Sequence, residues 1–224
     1  MSVYILNIET STKACSVSLQ SNDNLVLSKE SVTENFSHSE KLLTFISELI
    51  DDSPIQLSQL SAVAVSMGPG SYTGLRIGVS TAKGLCYGLN IPLISISTLQ
   101  AMSIGMSTQK KGALYCPMID ARRMEVYSAI FDINNNQIRK IQADILDSDS
   151  YTRELKETVV FFGDGCEKAR QVIQNENAIF VSNFHPSANY MLQLSYKKFL
   201  ESDFEDLAYF EPFYLKDFVA GKKN

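Results

Sequence analysis

The chain has only two histidines in 224 residues, His38 and His185. They form neither H-E-x-x-H nor H-x-x-x-H, so a helix-borne two-histidine metal site is excluded by count. The four cysteines, Cys15, Cys86, Cys116 and Cys166, show no C-x-x-C spacing and lie mostly among apolar neighbours. Buried, reduced thiols are the expected state rather than disulfides or a metal site. G-x-S-x-G is missing and no cysteine has a helper nearby in sequence, which leaves a peptidase without a locatable nucleophile. No apolar run approaches the ~18–20 residues of a membrane span. Basic side chains are too few to offset the acidic ones, 20 against 25, for a net charge of −5. That balance is a poor match for a phosphate backbone and disfavours independent nucleic-acid binding. The opening MSVYILNIE has no basic stretch before its short apolar run. No signal peptide is expected, and the cytoplasm is the expected compartment.

What is present reads as α/β. VYILNIE (3–9), CSVSLQ (15–20) and LVLSKES (25–31) are expected strands, with Asn22-Asp23-Asn24 turning the second into the third. Ser37-His38-Ser39-Glu40 fits an S-x-x-E capping box that opens a helix over Phe36–Asp51. A strand at 61–67, a helix over Thr73–Gly88, a strand at 91–97 and a short helix TLQAMSIGMS follow. The polar run STQKKG (107–112) is the best boundary, dividing the chain into lobes 1–106 and 107–224. Beyond it come strands at 113–120 and 124–132, an Asn134-Asn135-Asn136 turn into QIRKIQ, then a strand VVFFGDG (159–165) leading into a helix, AIFV (178–181) and a helix over Pro186–Leu200. The aromatic tail LAYFEPFYLKDF is expected to be extended, returning to the first lobe.

Residues 3–31 and 113–142 repeat one unit: a strand ending in Ile-acid, a short loop, an alternating strand, an Asn-rich turn and a third strand. Such a duplicated meander followed by αβ elements predicts two similar lobes of the actin-like (sugar-kinase, Hsp70) superfold. In that superfold each lobe's first hairpin meets phosphate. Here Glu9 supplies an acid and Thr10, Ser11 and Thr12 supply hydroxyls, but no glycine follows to let phosphate approach the backbone. The second hairpin, Asp120-Ala121-Arg122-Arg123, lacks one as well. Glu9 and Asp120 read as capped or solvated strand ends, and the rival reading is an autonomous ATP-dependent kinase or ATPase.

The stretch GPGSYTGLRIG (68–78) sits where phosphate loops sit, between a strand and a helix. Its spacing misses G-x-G-x-x-G by one residue and it lacks the Lys-Ser/Thr of a Walker A loop. Six of the eleven glycines lie between Gly68 and Gly88. At ~100° per residue, Gly74, Gly78, Gly84 and Gly88, with Thr81 among them, share an arc of about 120°. Each glycine inside a helix costs about 1 kcal/mol relative to alanine. A backbone that approaches this face closely would offset that loss, whether from the chain's own sheet or from a partner's helix.

Four segments together resemble the TsaB (YeaZ) family: ILNIETST, NFSHSEKLL, GPGSYTGLRIGVSTAKGL and PMIDARRMEVYSAIF. The resemblance is dense over the first lobe and the start of the second. Glu9 departs from the aspartate usual in that family. The resemblance implies a non-catalytic scaffold, itself holding no metal or catalytic residue, for making threonylcarbamoyladenosine on tRNA. It implies dimerisation through N-terminal helices, as a homodimer or with a TsaD-like catalytic subunit, together with a TsaE-like ATPase, and contact with tRNA only through that complex. On this sequence the partner surface is expected at His38, Leu42, Gly70, Tyr72, Thr73, Gly74, Gly78, Thr81, Gly84 and Gly88. No firm cofactor is implied. ADP or ATP at the partner interface is the one candidate, with Arg76 and Lys83 bordering it and Glu9, Thr10, Ser11 and Thr12 as a degenerate phosphate loop.

Overall fold

The computed structural model describes residues 2–32 and 38–216. Ser37, which opens the expected capping box, the helix's first residue Phe36, the His38 side chain, and Asp217 and Phe218 of the tail lie outside the described residues.

The first meander forms as β1 (Tyr4–Glu9), β2 (Ala14–Ser21) and β3 (Asn24–Val32), antiparallel throughout. Helix α1 (His38–Asp51) leads to β4 (Ala62–Gly68), α2 (Tyr72–Leu89), β5 (Leu93–Ser97) and α3 (Thr98–Gln109). Strand β4 pairs in parallel with both β1 and β5, giving the order β3-β2-β1-β4-β5. The second meander is β6 (Leu114–Asp120), β7 (Glu125–Asp132) and β8 (Gln137–Ile145). After it come β9 (Val159–Phe162), α4 (Cys166–Val172), β10 (Ala178–Val181) and α5 (Leu192–Glu201). Its sheet runs β10-β9-β6-β7-β8, which is the first sheet's order and strand directions repeated. The fold is therefore the duplicated, actin-like α/β layout expected from the repeat.

Period-2 alternation explains the faces. Leu6 and Ile8 of β1 and Cys15, Val17 and Leu19 of β2 join Leu42, Ile46 and Leu49 of α1 and Val79, Ala82 and Cys86 of α2 in one core. The opposite face carries Ile5, Ala62, Ala64, Ile94 and Ile96, and here α5 packs through Met191 and its neighbours. On β2 that face is polar, and alternation alone would put it in water. Instead Ser16, Ser18 and Gln20 are fully buried under residues 187–195. Ser16 Oγ accepts from Ala188 N at 3.1 Å, Ser18 Oγ donates to Ala188 O at 3.1 Å, and Gln20 Oε1 accepts from Ser195 Oγ at 2.9 Å.

That seam accounts for a difference from the expected helix over Pro186–Leu200. Ser187 is extended, Ala188–Tyr190 is a single 3-10 turn, and α5 starts at Leu192. The backbone of Ala188 is committed to β2 side chains and is not free to enter an α-helix. Helix α3 also serves the other half of the chain: Leu99, Met102 and Met106 pack with Tyr115, Phe131, Val160 and Phe162 of the second sheet, while Ala101 faces the first. A helix sandwiched in this way has no solvent face, which fits its buried residues being spread around the axis. All four cysteines are buried free thiols, as expected. Among the described residues no helix is long and apolar enough to cross a membrane.

Candidate functional site

Strands β1, β4 and β5 run parallel, so Glu9, Gly68 and Ser97 end at one edge of the first sheet. The turn after β1 meets the loop that enters α2 at that edge. Glu9 is fully buried there. Its Oε1 accepts from Ser11 N at 2.6 Å and from Ser66 Oγ at 3.0 Å, while Oε2 has no partner among the described residues. Burial raises its pKa above 4.5, partly offset by the bonds from Ser11, Ser66 and the Thr10 backbone. Oε1 is spent on closing the turn, and Oε2 is buried with it, away from solvent.

The rest of the turn is tied to α2. Thr10 Oγ1 donates to Gly74 O at 2.8 Å, and Ser71 N donates to Ser11 O at 2.6 Å. Thr12 Oγ1 accepts from Ala14 N at 3.2 Å and folds inward with the others. A Cβ placed on Gly70 would collide with Ser11 O, one on Gly74 with Thr10 O, and one on Gly78 with Thr10 Oγ1. The close backbone expected against the glycine face is thus the chain's own. Gly70, Gly74 and Gly78 are corrected from a partner surface to an internal one, since the hairpin of the first sheet already fills the space over them. The same contacts leave Glu9, Thr10, Ser11 and Thr12 no open cradle for phosphate. Ser71 caps α2, accepting from Gly74 N at 3.3 Å.

Further along α2 the face changes character. A methyl group added at Gly84 or Gly88 would meet nothing within 4 Å, and both glycines are exposed. Thr81, with Ile77 and Ser80, lines an open, largely apolar groove between α1 and α2, which Ser39, Leu42, Leu43 and Arg76 complete. Leu43 is 62% exposed there. Thr73 is exposed in the first turn of α2, and Tyr72 stacks at 4.6 Å on Tyr214. The expected interface residues therefore divide: Leu42, Thr81, Gly84 and Gly88 belong to or continue the groove, Thr73 and Tyr72 sit at the helix start, and the first three glycines turn inward.

Arg76 and Lys83 have other partners than those expected. Lys83 Nζ donates to Ala208 O at 3.3 Å and to Phe210 O at 3.1 Å. Arg76 lies 4.2 Å over the Tyr72 ring, and the neighbouring Tyr214 side chain raises the pKa of its guanidinium. Lys83 thus fastens the C-terminal segment to α2, and the two cations line a small cleft between that segment and the helix. In the second hairpin, Asp120 Oδ1 accepts from Arg122 N at 2.6 Å and from Lys168 Nζ at 2.8 Å, and Asp120 N donates to Asp164 Oδ1 at 2.8 Å. Among the described residues no three His, Cys, Asp or Glu side chains come together as metal ligands.

Sequence reasoning missed one polar cluster entirely. Arg139 makes a two-pronged bond to Asp144 at 2.9 and 2.6 Å, and Ser128, Gln142 and the Tyr151 hydroxyl converge on the same carboxylate. The alternation of QIRKIQADI along β8 was its only sequence signal.

With this geometry in place, likeness to known proteins decides the family. A family model described as "TsaD: tRNA N6-adenosine threonylcarbamoyltransferase" matches residues 33–223. The tRNA threonylcarbamoyladenosine biosynthesis protein TsaB of Haemophilus influenzae is 30% identical over 98% of this chain and 96% of its own length. The chain belongs to the TsaB (YeaZ) family. The TsaB of Escherichia coli is similar to the same degree, 30% over 98% of this chain and 97% of its own. The solved structure of YeaZ from Pseudomonas aeruginosa superposes with a TM-score of 0.80 over 95% of this chain and all of that one, at 24% identity, and speaks to the fold. This TsaB-family chain is thus a member of a family of tRNA threonylcarbamoyladenosine biosynthesis proteins.

Proposed function

We propose that the chain is a non-catalytic scaffold subunit for threonylcarbamoyl transfer to the adenosine 3′ of the tRNA anticodon. It presents the α1–α2 groove to a TsaD-like catalytic subunit, pairs with a second copy of itself through that groove in isolation, and works alongside a TsaE-like ATPase. The observation that carries the non-catalytic part is Glu9: the acid at the end of the first strand is fully buried and its carboxyl closes its own turn. A side chain so engaged is not free to order the water shell of a metal ion over a nucleotide. The docking part rests on the exposed Leu43 beside Ile77 and Thr81 and on the open glycines Gly84 and Gly88, which allow a second helix close approach. ADP or ATP, on this reading, is held at the junction with the partner by groups the partner supplies, and tRNA is met through the assembled complex.

Reconstitution of tRNA modification with the catalytic subunit and ATPase, with and without this chain, tests the proposal. Modification is expected to require the chain, and Leu43→Asp is expected to abolish it while leaving the monomer folded. Full modification in the chain's absence would overturn the scaffold role. ATP turnover by the purified chain, lost on Glu9→Ala, would replace it with the kinase reading.

A further inference from the structure

The segment Phe204–Lys216 follows α5 and crosses the molecule without regular structure of its own, yet it is held at every step. Glu205 N donates to Leu93 O at 2.9 Å, forming an isolated antiparallel bridge at the edge of β5, and its carboxylate accepts from Ser95 Oγ. Asp206 closes a turn by accepting twice, its Oδ1 from Ala208 N at 2.8 Å and its carbonyl from Phe210 N at 2.8 Å. Phe210 enters the core beside Leu207, and Lys83 of α2 grips the carbonyls of this turn. Phe213 N then donates to Met67 O at 2.7 Å, and the Phe213 carbonyl passes over Gly68, where a Cβ would strike it. Gly68 also has φ +112°, so two constraints require glycine at this crossing. Lys216 ends the run in an ion pair with Glu125 of β7, on the other sheet.

This strap therefore touches β5, α2, the β4–α2 loop and the second sheet in turn. Its last third differs from the rest in how it is held. Up to Phe210 it is anchored by a buried ring and strand-like bonds. From Glu211 onward the described residues show one backbone bond, the packing of the Phe213 carbonyl over Gly68, a tilted Tyr72–Tyr214 ring contact and an ion pair whose lysine is 43% exposed. An exposed pair of that kind contributes little, about 0–1 kcal/mol. The end of the strap is thus its releasable part. Between strap and α2 lies a small cleft lined by Arg76, Ser80, Lys83, Glu211 and Tyr214 among others. Arg76 and Ser80 line the α1–α2 groove as well. One guanidinium is shared by the two surfaces, lying 4.2 Å over the Tyr72 ring, which in turn meets the strap's Tyr214 ring at 4.6 Å.

We propose that the strap is a latch on the docking groove: seated, it fixes Arg76 at the groove's rim, and a helical partner that docks there binds more tightly than it does with the strap released. The inference rests on the docking reading above. The physical basis is preorganisation. A long side chain already ordered in the free protein loses less freedom on docking, and ordering one such chain is worth a factor of roughly 2 to 10 in affinity. Coupling is reciprocal, so docking must tighten the strap by the same factor.

The test uses the full chain and its own self-association, followed by sedimentation equilibrium, with hydrogen exchange of the strap amides measured in monomer and dimer. Tyr214→Ala is expected to speed exchange at Phe213 and weaken association roughly 2- to 10-fold. Tyr214→Phe keeps the ring on Tyr72 and removes only the hydroxyl on the Arg76 side of the cleft. It is expected to weaken association with the strap still protected, and it keeps the test open should the alanine variant fold poorly. Leu43→Asp is expected to abolish association. Unchanged affinity in both Tyr214 variants, or equal strap exchange in monomer and dimer, would overturn the latch while a monomeric Leu43→Asp upheld the groove. Undiminished association of Leu43→Asp would overturn the groove itself, and the latch with it.

Discussion

Substituting alanine for glycine at two positions ten residues apart on α2 should change stability in opposite directions. At Gly74 the new methyl would meet the Thr10 carbonyl, a backbone atom that cannot swing aside as a flexible side chain can. Removing glycine from a helix interior gains about 1 kcal/mol. Against this, forcing atoms into a filled site costs typically 1–3 kcal/mol. The displacement also strains the bond from Thr10 Oγ1 to Gly74 O, worth about 0.5–1.5 kcal/mol. The balance for Gly74→Ala is a loss of about 1–3 kcal/mol. At Gly84 nothing lies within 4 Å of the methyl, so only the helix gain remains and Gly84→Ala should stabilise by about 1 kcal/mol. For a chain of this size each kcal/mol moves the melting midpoint by roughly 2–4 °C. Thermal and urea unfolding of the monomer at low concentration, followed by circular dichroism, measure both. If Gly74→Ala proves neutral or stabilising, the packing of the first hairpin on α2 is not what requires glycine there. If Gly84→Ala destabilises the monomer, that position is not open.

The Arg139–Asp144 cluster should be costly to break from one side: Asp144→Asn leaves a largely buried guanidinium with only the more distant Glu154 carboxylate, 3.8 Å from its Nε, a loss of about 3 kcal/mol seen in urea unfolding. Burial pushes the Asp144 carboxyl up, but hydrogen bonds from Arg139, Ser128 and Gln142 outweigh it and hold its pKa below 3.8. Protonation therefore favours the unfolded chain. The cluster's contribution should be complete above the ordinary carboxylate range and fade as pH falls through it, and an acid-unfolding curve compared with that of Asp144→Asn checks this. Glu9 has the opposite sign: its folded pKa is raised above 4.5, so its contribution should be full below that value and decline as pH rises past it. Glu9→Gln should flatten that decline, whereas Glu9→Ala should lose about 1–3 kcal/mol at any pH by leaving Ser11 N and Ser66 Oγ unpaired, both read from unfolding midpoints across pH.

Much of the fold was legible because its signals are local. Alternation in CSVSLQ and MEVYSAIFD, asparagine turns after the second strand of each unit, and an acid at the end of each first strand marked the two meanders. The sheets then formed with one order and one set of directions. Helix α2 was legible within a residue or two at each end. The start of α5 was not. Its delay to Leu192 depends on Ser16 and Ser18 of β2, some 170 residues earlier in the chain, and no local pattern reports such a bond. The strap was expected as an extended tail returning to the first lobe, but its anchors Leu93, Met67 and Lys83 were not legible, being remote in sequence.

By itself, then, the sequence determined the duplicated α/β plan, the absence of a two-histidine helix site, the family, and the fact that something lies close against the glycines of α2. These follow from periodicity, composition and motif, which the chain carries in order along its length. Only the tertiary structure decided what that something is. Thr10 and Ser11 take the first half of the glycine face, because β1 and β4 are parallel neighbours and deliver their loops to the same edge. Gly84 and Gly88 are left open, more than a helical turn beyond the hairpin's reach. The same arrangement brought Lys83 to the carbonyls of the strap and Arg76 over the Tyr72 ring, since a charge acquires its contacts from whatever groups the fold brings to it.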